Sequence, residues 1–534
     1  MASLFLPAKF ADCRSRIIKG LILFSIIFFA ASMFTSCKKT AVNESHPSID
    51  MQAQYSAALS AFYVNGKTGN DANDGKSLVK PWKTIQKAFN SATPGSVVFI
   101  RAGVYNEQLT VNVTGLSGSP ITFMNYGNDA VVIDGTGIPG TTILSITDKS
   151  FLTFRGLTIQ NLTKNNAQGI LLAATAHGKA SNITFSHINI RKINWTASAT
   201  TIPNANQNAQ GLIVYGQGLT QTNAISNLVI DSCEVSNNIL GFSEAISLDG
   251  NIDGFTITHN KVHDNTNIGI AVIGHYGTSA TASLDQTRNG VVEQNICFKN
   301  TSAYATSGGI YADGAKSVKI ERNISYQNGY GVEVGNEENG SASNITVASN
   351  VLYFNQVAGL AIGGYNPATT GQVVNCSFYN NTFYKNNTAV DGSGEIIITK
   401  ASNCIIENNV FYTNGQAVLF SLTPIVPQAN NFINYNCWYT PGGNAANIQV
   451  NWLNKTYNTF ASYQAATHQD GKSFFKDPLF KSPVTPFDFH LQSASPCIHA
   501  GNIAIIKDAG ATDYDGNLLI QNGATTMGAY QNAL

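Results

Sequence analysis

One pattern recurs through the middle of this chain and limits what it can become: apolar-x-apolar-x-x-Asn-x-apolar-x-x-Asn. It reads Phe255-x-Ile257-x-x-Asn260-x-Val262-x-x-Asn265. It returns as Val318-x-Ile320-x-x-Asn323 closing on Asn328, and as Ile345-x-Val347-x-x-Asn350 with Asn355. Cys376-x-Phe378-x-x-Asn381 with Asn386 and Cys404-x-Ile406-x-x-Asn409 with Asn414 follow, and a degenerate copy carries Asn295 and Asn300. Leu157, Ile188 and Cys233 hold the first Asn position in earlier copies. Successive copies start 27, 28, 31 or 35 residues apart. Period-two alternation makes each apolar pair a short strand, and a fixed repeat of this length is one turn of a solenoid. Asparagines at one point of every coil can stack, each amide bonding the next. Each coil leaves a strand edge that only its neighbour covers, so the coils stabilise one another. A propeller blade needs about 40–50 residues, and leucine-rich repeats need a Leu framework that is absent. The pattern predicts an all-β chain: a right-handed parallel β-helix, a solenoid of about ten or more coils.

A second row lies between the Asn copies. It reads Glu244-Ala-Ile246-Ser-Leu248-Asp249-Gly250, Gly269-Ile270-Ala-Val272-Ile-Gly274, Gly309-Ile310-Tyr-Ala-Asp313-Gly314, Gly331-Val332-Glu333-Val334-Gly335 and Gly359-Leu360-Ala-Ile362-Gly363. Each is a short strand set off by glycine, as sharp corners demand. Open solenoid ends aggregate and need caps. Pro81 to Phe89 has helical spacing and Val97–Ile100 reads as a buried strand, so an N-terminal cap helix is expected. The Asn pattern stops near Trp438, and a small β-rich capping module is expected beyond it. The expected divisions are 1–36, 37–60, 61–440 and 441–534: leader, flexible tether, β-helix with its N-terminal cap, and C-terminal module.

The leader has its own logic. Arg14, Arg16 and Lys19 precede an apolar run from Leu21 to Ala31, then Phe34-Thr35-Ser36-Cys37. This looks like a bacterial lipoprotein signal with Cys37 as the lipidated first residue of the mature chain. The expected location is the bacterial cell envelope, held to a membrane through the lipid alone. Lys+Arg and Asp+Glu balance at 31 each, so nothing points to a nucleic-acid partner. The remaining cysteines form no CxxC pair, which argues against zinc and for small buried apolar groups. A monomer is expected.

The start from Tyr63-Val-Asn to Val104-Tyr105, together with the rungs, resembles secreted β-helix proteins of the carbohydrate-active type. These include family 9 polysaccharide lyases and β-helical glycoside hydrolases. The tail, with Asp477-Pro-Leu-Phe480 and Met527-Gly528-Ala529-Tyr530, is similar to a module that follows such helices in bacterial surface proteins. The resemblance implies a polysaccharide or oligosaccharide partner.

Chemistry is then sought on the glycine-bounded row. With Ile246, Ile270, Ile310, Val332 and Leu360 inward, alternation turns Asp249, Asp313 and Glu333 outward. Asp313 and Glu333 fall on successive coils offset by two residues, which places their Cα atoms about 8 Å apart. Glycoside hydrolysis needs one protonated and one ionised carboxyl, so Asp313 and Glu333 are the candidate catalytic pair. Asp249, Glu244, Glu337, Tyr311, His275 and Tyr365 are candidate substrate-binding residues, and Tyr276 borders the same wall. No metal or cofactor is expected for hydrolysis. The lyase alternative would need a basic Lys or Arg, with Ca²⁺ held by Asp313, Asp285, Asp249 and Glu333. The dense Asp cluster of family 9 lyases is missing, and Lys319 alternates like an ordinary strand lysine. A non-catalytic glycan-binding surface lipoprotein is the third reading. The loops 195–208 and 277–288 are expected to border the wall.

Overall fold

The computed structural model describes residues 60–364, 371–422 and 430–531. The leader, the tether, Cys37 and Tyr365 lie outside the described residues. The rest is a parallel β-helix with three sheets running its length. One coil contributes Asp253–Thr258 to the first sheet, Lys261–His263 to the second and Thr266–Ile273 to the third. Among the described residues, thirteen strands succeed one another in the first sheet, from Ala61–Val64 to Phe432–Asn434. Ile257, Val292, Ile320, Val347, Phe378 and Ile406 share one register down that sheet, and all are buried. The alternating apolar positions therefore form the core by stacking coil upon coil.

The asparagines stand at the two corners. The residue before each first-corner Asn, from His259 to Tyr435, is left-handed with φ between +50° and +60°. Such a bend turns the chain sharply, at a cost of roughly 1–2 kcal/mol for a residue with a Cβ. The Asn amides offset it. Asn323 Oδ1 accepts from the backbone N–H of Asn295 at 2.9 Å and from its Nδ2 at 3.0 Å, while Asn323 Nδ2 donates to Val292 O and to Asn350 Oδ1. The first ladder runs from Asn260 through Asn295, Asn323, Asn350, Asn381 and Asn409 to Asn436. The second runs from Asn238 through Asn265, Asn300, Asn328 and Asn355 to Asn386. Asn414 was expected in it and is not. Glu395 takes the place, receiving the Asn386 Nδ2 at 2.7 Å, while Asn414 bonds the Asn386 and Asn387 carbonyls from the side.

Both ends are closed. Thr84 Oγ1 caps the helix Ile85–Ser91, the Glu107 carboxylate accepts its first two amides, and Phe89 lies edge-on to Phe123. At the far end the helix Phe460–Thr467 places Tyr463 edge-on to Phe420. The segment expected to cap from 441 onward divides in two. Residues 441–475 close the end, whereas the chain from Asp477 turns back along the outside. There Phe480, Phe489, Leu491 and Met527 cover Val351, Tyr384 and Val410 of the second sheet, and Ile505, Ile506 and Leu519 cover Ala348 and Tyr379 of the first.

Candidate active site

The third sheet carries the acids, and its register is the one read from the glycines. Ile246, Ile270, Ile310, Val332 and Leu360 pair in sequence along it, each buried in the core. The next position along each strand is Ser247, Ala271, Tyr311, Glu333 and Ala361. Asp313 aligns with Gly335, so it and Glu333 sit on neighbouring coils two residues out of step. The missing side chain at Gly335 has a use: a methyl group there would stand 2.3 Å from the Gly363 carbonyl oxygen of the next coil and 3.1 Å from the Tyr311 hydroxyl.

A loop folds over this wall. It enters by Tyr276 and is held by Asp285, whose carboxylate accepts the amides of Gly277 at 2.6 Å and Ser279 at 2.8 Å. Thr278 then donates to Asp249 Oδ2 at 2.7 Å. The Tyr276 hydroxyl donates to Asp313 Oδ2 at 2.7 Å and lies 3.4 Å from Glu337 Oε2. The Glu337 amide donates to Asp313 Oδ1 at 2.9 Å. Glu337 thus reaches the same hydroxyl as Asp313, and Glu333 stands beside the two.

Burial and mutual repulsion govern the charges. Burial, then the neighbouring Glu337, push the Asp313 carboxyl well above the usual carboxylate range, against the opposing Tyr276 hydroxyl. Burial raises Glu333 well above its ordinary value, with Glu337 and Asp313 adding to it. Burial raises Glu337 as well. Glu244 is pushed up to about 8 by burial, with Asp249 and Glu337 contributing against a Ser247 hydrogen bond. Asp249 is pushed up to about 7 by burial, opposed by Thr278, and its Oδ1 is buried with no hydrogen-bond partner. Five carboxyls on one face cannot all be ionised near neutral pH, so the wall holds protons and negative charge together.

Other expected residues take different places. Tyr311 is buried beneath the acids. His275 turns to the corner, its Nε2 3.2 Å from Gln286 Nε2 and 3.4 Å from the Ser341 carbonyl. Lys316 and Lys319 belong to the first sheet, and Lys319 Nζ pairs with Asp508 at 2.9 Å. Asp285 is spent on the loop amides, so the four-acid calcium set is not assembled. Among the described residues no three His, Cys, Asp or Glu side chains are arranged to hold a metal ion. His259 and His263 pair with surface acids, Asp231 and Glu234. Tyr215, in register with Asp249, was missed. Gly211-Leu-Ile-Val-Tyr215-Gly216 is bounded by glycine like the other strands of the row, so extending that row by one coil finds it.

No family model matches the chain. Over 443 residues it is 35% identical to the uncharacterized protein YwoF of Bacillus subtilis (strain 168), covering 80% of this chain and 90% of that one. Over 91 residues it is 32% identical to pectate lyase PEL9 of Emericella nidulans, which covers 17% of this chain and 22% of the lyase. Similar solved structures include pectate lyase Pel9A, with 16% identity, a TM-score of 0.48, and 90% of this chain and 98% of that one covered. The GH136 lacto-N-biosidase from Eubacterium ramulus matches with 15% identity, a TM-score of 0.43, and 72% and 69% coverage.

Proposed function

The chain belongs to the family of YwoF of Bacillus subtilis, and on that footing we propose that it is a carbohydrate-active enzyme that hydrolyses glycosidic bonds of a polysaccharide or oligosaccharide. The observation that carries this reading is the single Tyr276 hydroxyl within 2.7 Å of Asp313 and 3.4 Å of Glu337. Two carboxyls that meet at one hydroxyl repel each other when both are charged, so one keeps its proton while the other ionises, and one protonated with one ionised carboxyl is what acid-assisted cleavage of an acetal requires. Asp313 is the proton donor to the leaving oxygen in this proposal. Glu337 is the ionised partner, with Glu333 beside it as the second candidate for that role. Hydrolysis is favoured over β-elimination because Lys319, the lysine an elimination would call on, is engaged with Asp508 on another face. The alternative, a lyase, draws on the local likeness to pectate lyase PEL9.

A polysaccharide panel tests this. Release of reducing ends without absorbance near ~235 nm is expected, since elimination alone leaves an unsaturated sugar. Asp313→Asn and Glu337→Gln should each lower turnover by at least ~10²-fold. Full activity in both variants would overturn the assignment, and binding with no product would make the protein a glycan-binding one. We also propose that Cys37 carries lipid and anchors the protein in the cell envelope. Partition of the full chain into a detergent phase, abolished by Cys37→Ala, is the expected result.

A further inference from the structure

Upstream of the acid wall the solenoid changes sign. Between residues 149 and 230 the chain has six cations, Lys149, Arg155, Lys164, Lys179, Arg191 and Lys192, and no Asp or Glu. Two of them, Lys164 and Lys192, line a cleft of about 410 Å³. It lies at the second corner of the coils, where the Ile193 amide donates to Asn238 of the ladder. A volume of that size takes a small ligand. The loop 135–140 walls the cleft on one side. Lys164 Nζ fixes that loop by donating to the carbonyls of Ile138, Pro139 and Gly140 at 2.6, 2.9 and 3.1 Å. All three of its N–H groups are thereby used, so Lys164 supplies a positive charge and a fixed wall but no donor. Asp134, beside the loop, is bonded by the Thr136 amide, Gln160 Nε2 and Asn161 Nδ2. Its one negative charge stands against two ammonium groups, and among the described residues neither Lys164 nor Lys192 pairs with a carboxylate.

Other lining residues bring the donors. Asn194 Oδ1 accepts the Ile239 amide at 2.8 Å, which leaves its Nδ2 for the cleft. Thr163 and Lys192 are exposed at the rim, with a hydroxyl and an ammonium group free of protein partners among the described residues. An oxyanion accepts from all three, and a charge-assisted hydrogen bond is roughly twice as strong as a neutral one. The cleft also lies within reach of the acids. Asn194 pairs with Ile239, at the start of the strand that carries Glu244, so the cleft opens one coil from the acid wall. We infer that the cleft holds a sugar bearing an oxyanion, a carboxylate or a sulfate ester, while neighbouring sugars of the same glycan lie along the acids. That the anion arrives on a sugar rests on the glycan-cleaving reading above.

Matched sugars test this. Galactose, galacturonate and galactose 6-sulfate, the same three forms of glucose, and inorganic sulfate alone are titrated into the full-length protein at fixed ionic strength, with binding followed by ligand-observed NMR. In at least one series the two charged sugars should bind at least ~10-fold more tightly than the neutral sugar or inorganic sulfate. Lys192→Gln, at an exposed position, should weaken the charged sugars by at least ~10-fold. Lys179→Gln, which removes an exposed cation outside the cleft, should leave them unchanged. Neutral sugars bound as tightly as charged ones would overturn the inference, and so would inorganic sulfate bound as tightly as either charged sugar. Binding insensitive to Lys192→Gln, or weakened equally by Lys179→Gln, would place the ligand elsewhere and overturn it as well. Inertness toward every probe would also overturn it, whereas the glycan-cleaving reading stands or falls separately on reducing-end release from the polysaccharide panel.

Discussion

Glu244 shows what a carboxyl on this wall costs the fold. Its proton is held up to about 8, far above the ordinary carboxylate range. The folded chain therefore binds that proton more tightly than the unfolded chain does. The stability it contributes is complete at low pH and is lost as pH rises through 8. Glu244→Gln removes the charge and keeps the shape, so it should raise the melting temperature at pH 8 and leave it nearly unchanged at pH 4. A gain of about 2 kcal/mol at the higher pH is the scale, reduced from the full shift because Glu244 keeps some contact with water. Equal gains at both pH values would mean packing, not charge, is at stake. Alternation and glycine corners place Asp249, Asp313 and Glu333 on one face from the sequence, and Glu244 and Glu337 enter only as acids flanking that row. Their partnership is not legible there. Tyr276 comes from a loop outside the repeat, and no periodicity says that it bends back onto Asp313 or that Glu337 shares its hydroxyl.

The amide ladders extend the same reasoning to an element. Asn323 is fully bonded, with Nδ2 donating twice and Oδ1 accepting twice. Asn323→Ala takes the buried acceptor from both the backbone and the side-chain amide of Asn295, so a loss of about 2–4 kcal/mol is expected by denaturant titration. A loss under ~0.5 kcal/mol would show that the ladder carries no stability. The repeat disclosed where the ladders run but not where they stop. Both stop on a buried acid: Asn386 on Glu395, and Asn436 beside Asp470 with Ser473 capping its amide. Burial pushes Glu395 up to about 8. Glu395→Gln can still accept from Asn386, and its own amide adds a donor. It should therefore flatten the fall in stability between pH 6 and pH 9, followed by thermal melting at both. Asn414 matches the motif yet is displaced, since the insertion 387–395 delivers Glu395 to that place first.

At the scale of the whole molecule, the second sheet leaves a column of rings on its outer face. His263, Phe298, Tyr326 and Tyr353 stack with centroids 4.6, 4.9 and 4.7 Å apart, and the register continues through Tyr384, Tyr412 and Tyr439. A solenoid with an apolar flank invites association. The returning C-terminal segment covers that flank. Phe489 lies 5.5 Å from Tyr353 and 5.1 Å from Tyr384, Phe487 lies 5.6 Å from Tyr353, and Lys319–Asp508 and Arg322–Thr512 hold the far side. This differs from the terminal plug that the end of the Asn pattern suggests, because the plug is completed by Phe475 and the helix Phe460–Thr467 before the segment begins. Ending the chain at Lys476 should therefore spare the coils and expose the rings. Far-UV circular dichroism should keep its β signature, while light scattering shows self-association that the full chain lacks and a hydrophobic dye binds. Restoring a polar flank by Tyr353→Thr and Tyr384→Thr in the shortened chain should reverse the association. A shortened chain as monodisperse and as heat-stable as the full one would show that the flank needs no cover.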